Sequence, residues 1–227
     1  METLPNYVGL VFIAITTVTI ALFFKATNKN KVALLYILAM TVLVAVLNTQ
    51  DFFLDNDSIP PRFILFIAPS IVVAAITFLT KKGRAFIDSI DLETYGYLHT
   101  VRVVVEIVLL WLSIHAVLPE SMTFEGRNFD ILSGLSAPLI AYFGYRQKRL
   151  PNGVLLAWNI ICLALVLQVV ITGILSVPSP IQQLSFDQPN IAILYFPFSW
   201  LPAVIVPVVI FGHLAGIRRH LKIVSSY

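Results

Sequence analysis

Two residues of opposite charge, Arg102 and Glu106, stand four apart inside the apolar run His99–Leu118, HTVRVVVEIVLLWLSIHAVL. Residues four apart share one face of a helix. An ionisable side chain at the centre of a bilayer costs about 2.5–3.5 kcal/mol on insertion scales, so its presence marks a site unless a neighbour explains it. Both readings apply to this pair. Arg102 can reach the nearer interface along its apolar stem while Glu106 cancels its charge, or the two can handle a proton or a polar substrate. His99 lies close to the same face, whereas His115 falls about half a turn round from Glu106 and points elsewhere. His213 lies at a depth comparable to His99, so the two imidazoles could share a haem or a metal if their helices are neighbours.

Other polar residues punctuate the apolar runs. Asp130 precedes a stretch of small residues, Ser133, Gly134, Ser136 and Ala137, and then Pro138. It can cap a helix, or it can hold a cation or a substrate at the mouth of a loosely packed one. Trp158 and Asn159 sit together in a later run, with Gln168 half a turn away. One such amide serves either as glue between helices or as a pocket wall. Asn190 follows Pro189 in a proline-rich stretch, as a turn residue or as part of an outer pocket. The absences restrict the chemistry. No lysine lies inside an apolar run, which excludes a retinal Schiff base, and there is no HExxH, HxxxH, glycine-rich phosphate loop or G-x-S-x-G. No catalytic residue, metal set or cofactor is therefore assigned. The expected ligand-binding residues are Arg102, Glu106, Asp130, Asn159, Asn190 and His213.

The elements that must position these residues are membrane helices. Of 227 residues 58% are hydrophobic and 12% charged, with a mean hydropathy of +0.89. A soluble domain of this length could not bury so much apolar surface, so lipid is the expected solvent. The apolar runs lack the alternation of barrel strands. They fall at about residues 7–24, 32–47, 63–80, 99–118, 131–145, 154–175 and 196–217, each near the roughly 20 residues that cross a bilayer. Residues 81–97 read as an interfacial helix turning at Ser89–Asp91 into a new, Asp91-capped start, with Tyr95 and Tyr97 at headgroup depth. Residues 176–195, broken by three prolines, read as a surface-lying or re-entrant cap. Pro197, Pro202 and Pro207 predict a kinked or partly unwound last helix.

Loop charge sets the expected orientation. Twelve of the 15 Lys and Arg residues fall in one set of loops, after the first, third, fifth and seventh runs. The other loops carry mainly Asp and Glu, with only Arg62 and Arg127 as basic residues. By the positive-inside rule the first set is cytoplasmic. The expected fold is thus all-α: a single-domain, seven-transmembrane-helix bundle with its N-terminus outside and its C-terminus cytoplasmic. The first run lacks a basic leader and a cleavage site, so it reads as a retained span. Cys162 is the lone cysteine, so no internal disulfide forms. The net charge of +3 is dispersed over short loops, which argues against nucleic-acid binding.

From about Leu92 to Arg219 the chain resembles a family of small uncharacterised bacterial integral membrane proteins. The resemblance rests on VRVVVEIVLLW, LPESMTFEGRNFDILSGLSAPLIAY, LLAWNIICL, FDQPN and FPFSWLPAVIVPVVIFGHL. It marks Arg102, Asp130, Trp158, Asn159, Asn190, the three prolines and His213 as pattern positions, with no activity attached. His99 stands where that family tends to have glutamine. The resemblance implies a multi-pass protein of the bacterial inner membrane. The expected function is binding or transport of a small solute or ion in a polar pocket among the last four helices, with membrane lipid as the surrounding partner. A membrane enzyme acting on a lipid-like or quinone-like substrate, with Glu106 or Asp130 as acid/base and His213 as partner, is the alternative. A structural accessory subunit is a third.

Overall fold

The computed structural model describes residues 4–224, and all regular structure among them is helical. Six helical stretches are long and apolar enough to cross a membrane: Asn6–Ala26, Lys31–Asn48, Arg62–Leu79, Leu92–Ile114, Asn152–Leu175 and Leu201–Ile223. Their outward faces carry large exposed side chains such as Leu10, Leu35, Ile76 and Ile161, as helices solvated by lipid should.

α1 (Asn6–Ala26) and α2 (Lys31–Asn48) are joined by a tight turn in which Asn30 caps α2, accepting from Val32 and Ala33 N–H. A short 3₁₀ segment, Arg62–Phe66, leads into α3 (Ala68–Leu79). Thr80 then caps α4 (Lys81–Ser89), a strongly amphipathic helix buried chiefly through Ile87. Asp91 accepts from Glu93 and Thr94 N–H and opens α5 (Leu92–Leu98). α6 (Val101–Ile114) follows after a break at His99–Thr100. The turn at Ser89–Asp91 and the Asp91-capped start are present as expected, and residues 92–97 belong to the long stretch Leu92–Ile114 rather than to the segment before it. Tyr95 is packed inside the bundle rather than exposed at its rim. Its ring is buried and its hydroxyl donates to the Val208 carbonyl at 2.7 Å, because the Asp91 cap starts the long helix two turns earlier than the apolar run implies.

α7 (Ile131–Leu139) contains Pro138 and continues as π-helical turns over Ile140–Arg146. Proline offers no N–H to the preceding turn, and an extra residue per turn rotates the residues beyond it by about 100°. Together these parts run from Ile131 to Arg146, too short to count with the six spans. α7 runs antiparallel to α5–α6 at very close range. A Cβ on Gly134 would lie 2.8 Å from the Val103 backbone N, and one on Gly96 would lie 3.0 Å from Ala141 Cβ. Small residues permit that approach, and it brings Asp130 beside Arg102. α8 (Asn152–Leu175) packs along α9 (Val206–Val224), which is preceded by π-helical Leu201–Ile205. Pro202 lies in those π turns and Pro207 in the first turn of α9, so the expected broken helix is present.

One end of the bundle gathers the basic loops. Asn28 donates to the Ser89 carbonyl, Asp91 N–H to the Ala26 carbonyl and Arg219 to the Ile90 carbonyl. Asp88 on α4 pairs with Lys222 and Arg218 of α9. The Lys222 ammonium holds the Asp88 carboxyl below the usual carboxylate range. A value depressed on folding adds stability at pH above the ordinary carboxylate range, lost as pH falls through the lowered one. The groups are solvent-exposed, so this clamp contributes only about 0.2–1 kcal/mol. At the opposite end the 176–195 cap is an irregular lid. Asn190 N–H bonds the Ser176 carbonyl, Ile191 and Ala192 N–H the Val117 carbonyl, and Gln188 the Ser113 and Leu118 carbonyls.

Candidate functional site

Arg102 does not snorkel, and its partner is not Glu106. It is 2% exposed, deep between helices, and forms a two-pronged ion pair with Asp130 from the far side of the α6–α7 connection. Nε donates to Asp130 Oδ2 at 2.7 Å and one Nη to Oδ1. The same guanidinium donates to the Cys162 carbonyl at 3.3 Å and meets His213 Nε2 at 2.8 Å. One side chain thus ties α6 to α7, α8 and α9. Asp130 occupies the capping position of α7, yet its carboxylate makes no cap and is spent on Arg102.

The polarity of the network follows from donor chemistry. Arginine has donors only, so His213 Nε2 accepts and the ring proton sits on Nδ1, donating to Asn159 Oδ1 at 3.2 Å. Asn159 Nδ2 then donates to the Leu155 carbonyl and to the Tyr145 hydroxyl at 3.0 Å. Tyr145 in turn donates to His220 Nε2 at 3.2 Å, leaving His220 Nδ1–H to donate to Asn152 Oδ1. The links Arg102–His213–Asn159–Tyr145–His220–Asn152 all donate in the same direction, from Arg102 towards the basic end of the bundle. Such aligned chains polarise one another. The π turns of Ile140–Arg146 set where Tyr145 falls along this row.

His99 stacks face to face on His213, with ring centroids 4.0 Å apart and planes at 13°, and Trp158 stands edge-on to both. Trp158 Nε1 is anchored on Ser136 Oγ at 2.9 Å. The expected neighbours are therefore in contact, but the arrangement does not suit shared ligation. Stacked rings aim their nitrogens alongside one another, not at a common centre, and both nitrogens of His213 are engaged. Among the described residues no three of His, Cys, Asp and Glu come together as a metal site.

Glu106 lies one turn from Arg102 and is equally buried. Its Oε2 accepts from Asn128 Nδ2 at 2.7 Å, and it has no cationic partner among the described residues. Asn128 comes from the segment between α6 and α7, which dips into the bundle. Asn128 is fully buried, and it also bonds the Met122 carbonyl and the Asp130 N–H. A cavity of about 40 Å³ adjoins Arg102, Glu106 and Asp130, walled otherwise by valines, leucines and Ile205 of α6, α8 and the last helix. By volume it holds about three waters.

Of the expected residues, Arg102, Asp130, Asn159 and His213 form one connected group and Glu106 adjoins it through Asn128. Asn190 does not belong. From the cap its amide donates to the Gly173 carbonyl in the last turn of α8, where it holds the chain turn. Asn128, Tyr145, Asn152 and His220 complete the network without having stood out in the sequence, although Asn128 sits two residues before an Asp that had.

The chain is thus an all-helical, multi-pass membrane protein with a buried ionisable network between its later helices. Comparison with protein-family models, with curated proteins and with solved structures gives no match.

Proposed function

We propose that the protein binds and moves a small monovalent cation, the proton included, at the Glu106–Asp130–Arg102 cluster. The observation that carries this reading is a charge imbalance next to a void. One guanidinium faces two carboxylates, and Asp130 takes it entirely. The amino end of α7 adds about half a positive charge at Asp130, which still leaves Glu106 without a full counter-charge. A buried carboxylate in that position takes up a cation or a proton. The cavity at its side, about 40 Å³, suits an ion or waters and is too small for an organic solute. His213 is not part of its wall, which removes support from an enzyme that would need His213 and both acids around one substrate.

In this reading the bundle crosses the membrane seven times. The short α7 and its π turns form the fifth crossing, and the sunken segment before it supplies the missing length. The basic end lies in the cytoplasm and the N-terminus outside, in accord with the distribution of Lys and Arg. The setting is the inner membrane of a bacterium, as the resemblance of residues 92–219 implies.

Binding is tested by linkage. A cation present at about 100 times its Kd stabilises the folded state by about 2.7 kcal/mol. In detergent at constant ionic strength, the unfolding midpoint of the wild type should rise with one of Li⁺, Na⁺ or K⁺ over choline, or shift with pH if the proton is the ligand. Glu106→Gln should lose that dependence. Identical cation and pH responses in the two proteins would overturn the proposal.

A further inference from the structure

On the other side of α9 from His213 lies a cleft of about 740 Å³, bounded by α1, α2, α3 and α4 and floored by α9. Its walls include Phe23, Ile37, Ala74, Phe86, Val208 and Phe211, and it is open along one side, where Val32 and Val73 are exposed. The few polar groups in the walls already have partners. Tyr36 and Ser70 bond each other at 2.9 Å, Thr77 bonds the Val73 carbonyl at 2.7 Å, and Asn30 Oδ1 is spent on capping α2. A sugar, nucleotide or other polar solute would find few groups to bond there, whereas hydrocarbon would displace none of these bonds.

The exception is one end. Lys82 and Asn30 line the cleft where it meets the basic loops, with Lys31 between the lining residues Asn30 and Val32. Lys82 has no acidic partner among the described residues. The acids nearby are committed, Asp88 to Lys222 and Arg218, and Asp91 to the cap of α5. The cleft is therefore amphipathic in one direction, with a long apolar trough ending in an uncompensated ammonium.

We propose that this cleft is a binding site for one anionic phospholipid, with an acyl chain in the trough and the phosphate at Lys82. Basic pockets between membrane helices on the cytoplasmic side are suited to anionic headgroups, and the assignment to that side rests on the orientation proposed above. The volume falls in the range of about 300–1,000 Å³ in which discrete ligands are held. The occupant would touch Val208 and Phe211 on the face of α9 opposite His213, so its presence bears on the helix that carries the ionisable network.

The test uses the whole protein in mild detergent, titrated with phosphatidylglycerol or phosphatidylcholine of the same chains and weighed by native mass spectrometry. A single adduct should form, favouring phosphatidylglycerol. Lys82→Gln, at an exposed position, should reduce that preference about fivefold. Ala74→Phe should block the trough and weaken both adducts. Should Ala74→Phe fold poorly, a phosphatidylglycerol carrying a photoreactive group in its acyl chain gives the same answer on the wild type, by labelling α3 and α9. Equal binding of the two lipids, a preference unchanged in Lys82→Gln, label spread evenly over the outer face of α8, or a second copy of the chain bound in place of lipid would each overturn the proposal. None of these readings depends on ion movement, so failure of the cation site would leave them unchanged.

Discussion

Replacing Arg102 with Met is expected to destabilise the protein by about 3–5 kcal/mol, the usual consequence of removing one partner from a buried ion pair. Asp130 is 5% exposed, and both its oxygens rest on that guanidinium. The loss leaves a carboxylate in the bundle beside Glu106, with two acids and no guanidinium to offset them. The double variant Arg102→Met with Asp130→Leu should recover most of the loss, because apolar side chains of similar volume replace buried pairs at little or no net cost. Recovery stays incomplete, since His213 Nε2 and the Cys162 carbonyl have also lost their donor. Unfolding in detergent, read as a double-mutant cycle, checks this. Additive losses in the cycle would mean that the pair is not coupled.

His213→Phe isolates the polar part of the second large effect. A phenyl ring is close in size to imidazole and can keep the stack on His99 and the edge contact with Trp158. It cannot accept from Arg102 or donate to Asn159 Oδ1. Two buried groups are then orphaned, at about 1–3 kcal/mol each and more for the charged one. His213→Phe should therefore unfold well before the wild type, whereas Gln168→Leu, at a half-buried position bonded only within its own helix, should stay within about 0.5 kcal/mol of it. If the two variants unfold together, the directed hydrogen-bond chain is not what holds α8 to α9.

The residues of the network were legible because they violate their surroundings. Arginine, glutamate, aspartate, asparagine and histidine inside apolar runs need partners, and Arg102, Asp130, Asn159 and His213 prove to share one set of bonds. The partnership was harder to read. Spacing of four residues paired Arg102 with Glu106, but that rule describes neighbours on an isolated helix. Inside the bundle the Gly134 approach brings Asp130 closer to a two-pronged fit. Asn128 was hidden because a buried irregular segment has no periodicity to betray it. Tyr145 and His220 sit next to basic loops and look interfacial. Only the π turns after Pro138 and the packing of α8 on α9 bring them into the same row.

The broad architecture was more accessible, since apolar length and proline position are local properties. The Asp91-capped start of α5 was legible, but its continuation into α6 as one long stretch was not, because the apolar run itself begins only at His99. The fifth apolar run is not among the six long stretches, because its helix begins only at Ile131, after the buried irregular segment that holds Asn128, and ends in π turns at Arg146.

The most direct test of the central claim is the rate of cation entry into sealed vesicles holding the purified protein, under an imposed membrane potential. The rate should be followed for H⁺ and for the cation that stabilises the wild type. It should exceed that of protein-free vesicles, and Glu106→Gln, reconstituted to the same density, should return it to background. Equal rates for wild type and Glu106→Gln, or a wild-type rate no higher than in empty vesicles, would contradict the assignment of Glu106 as the carboxylate that carries the ion.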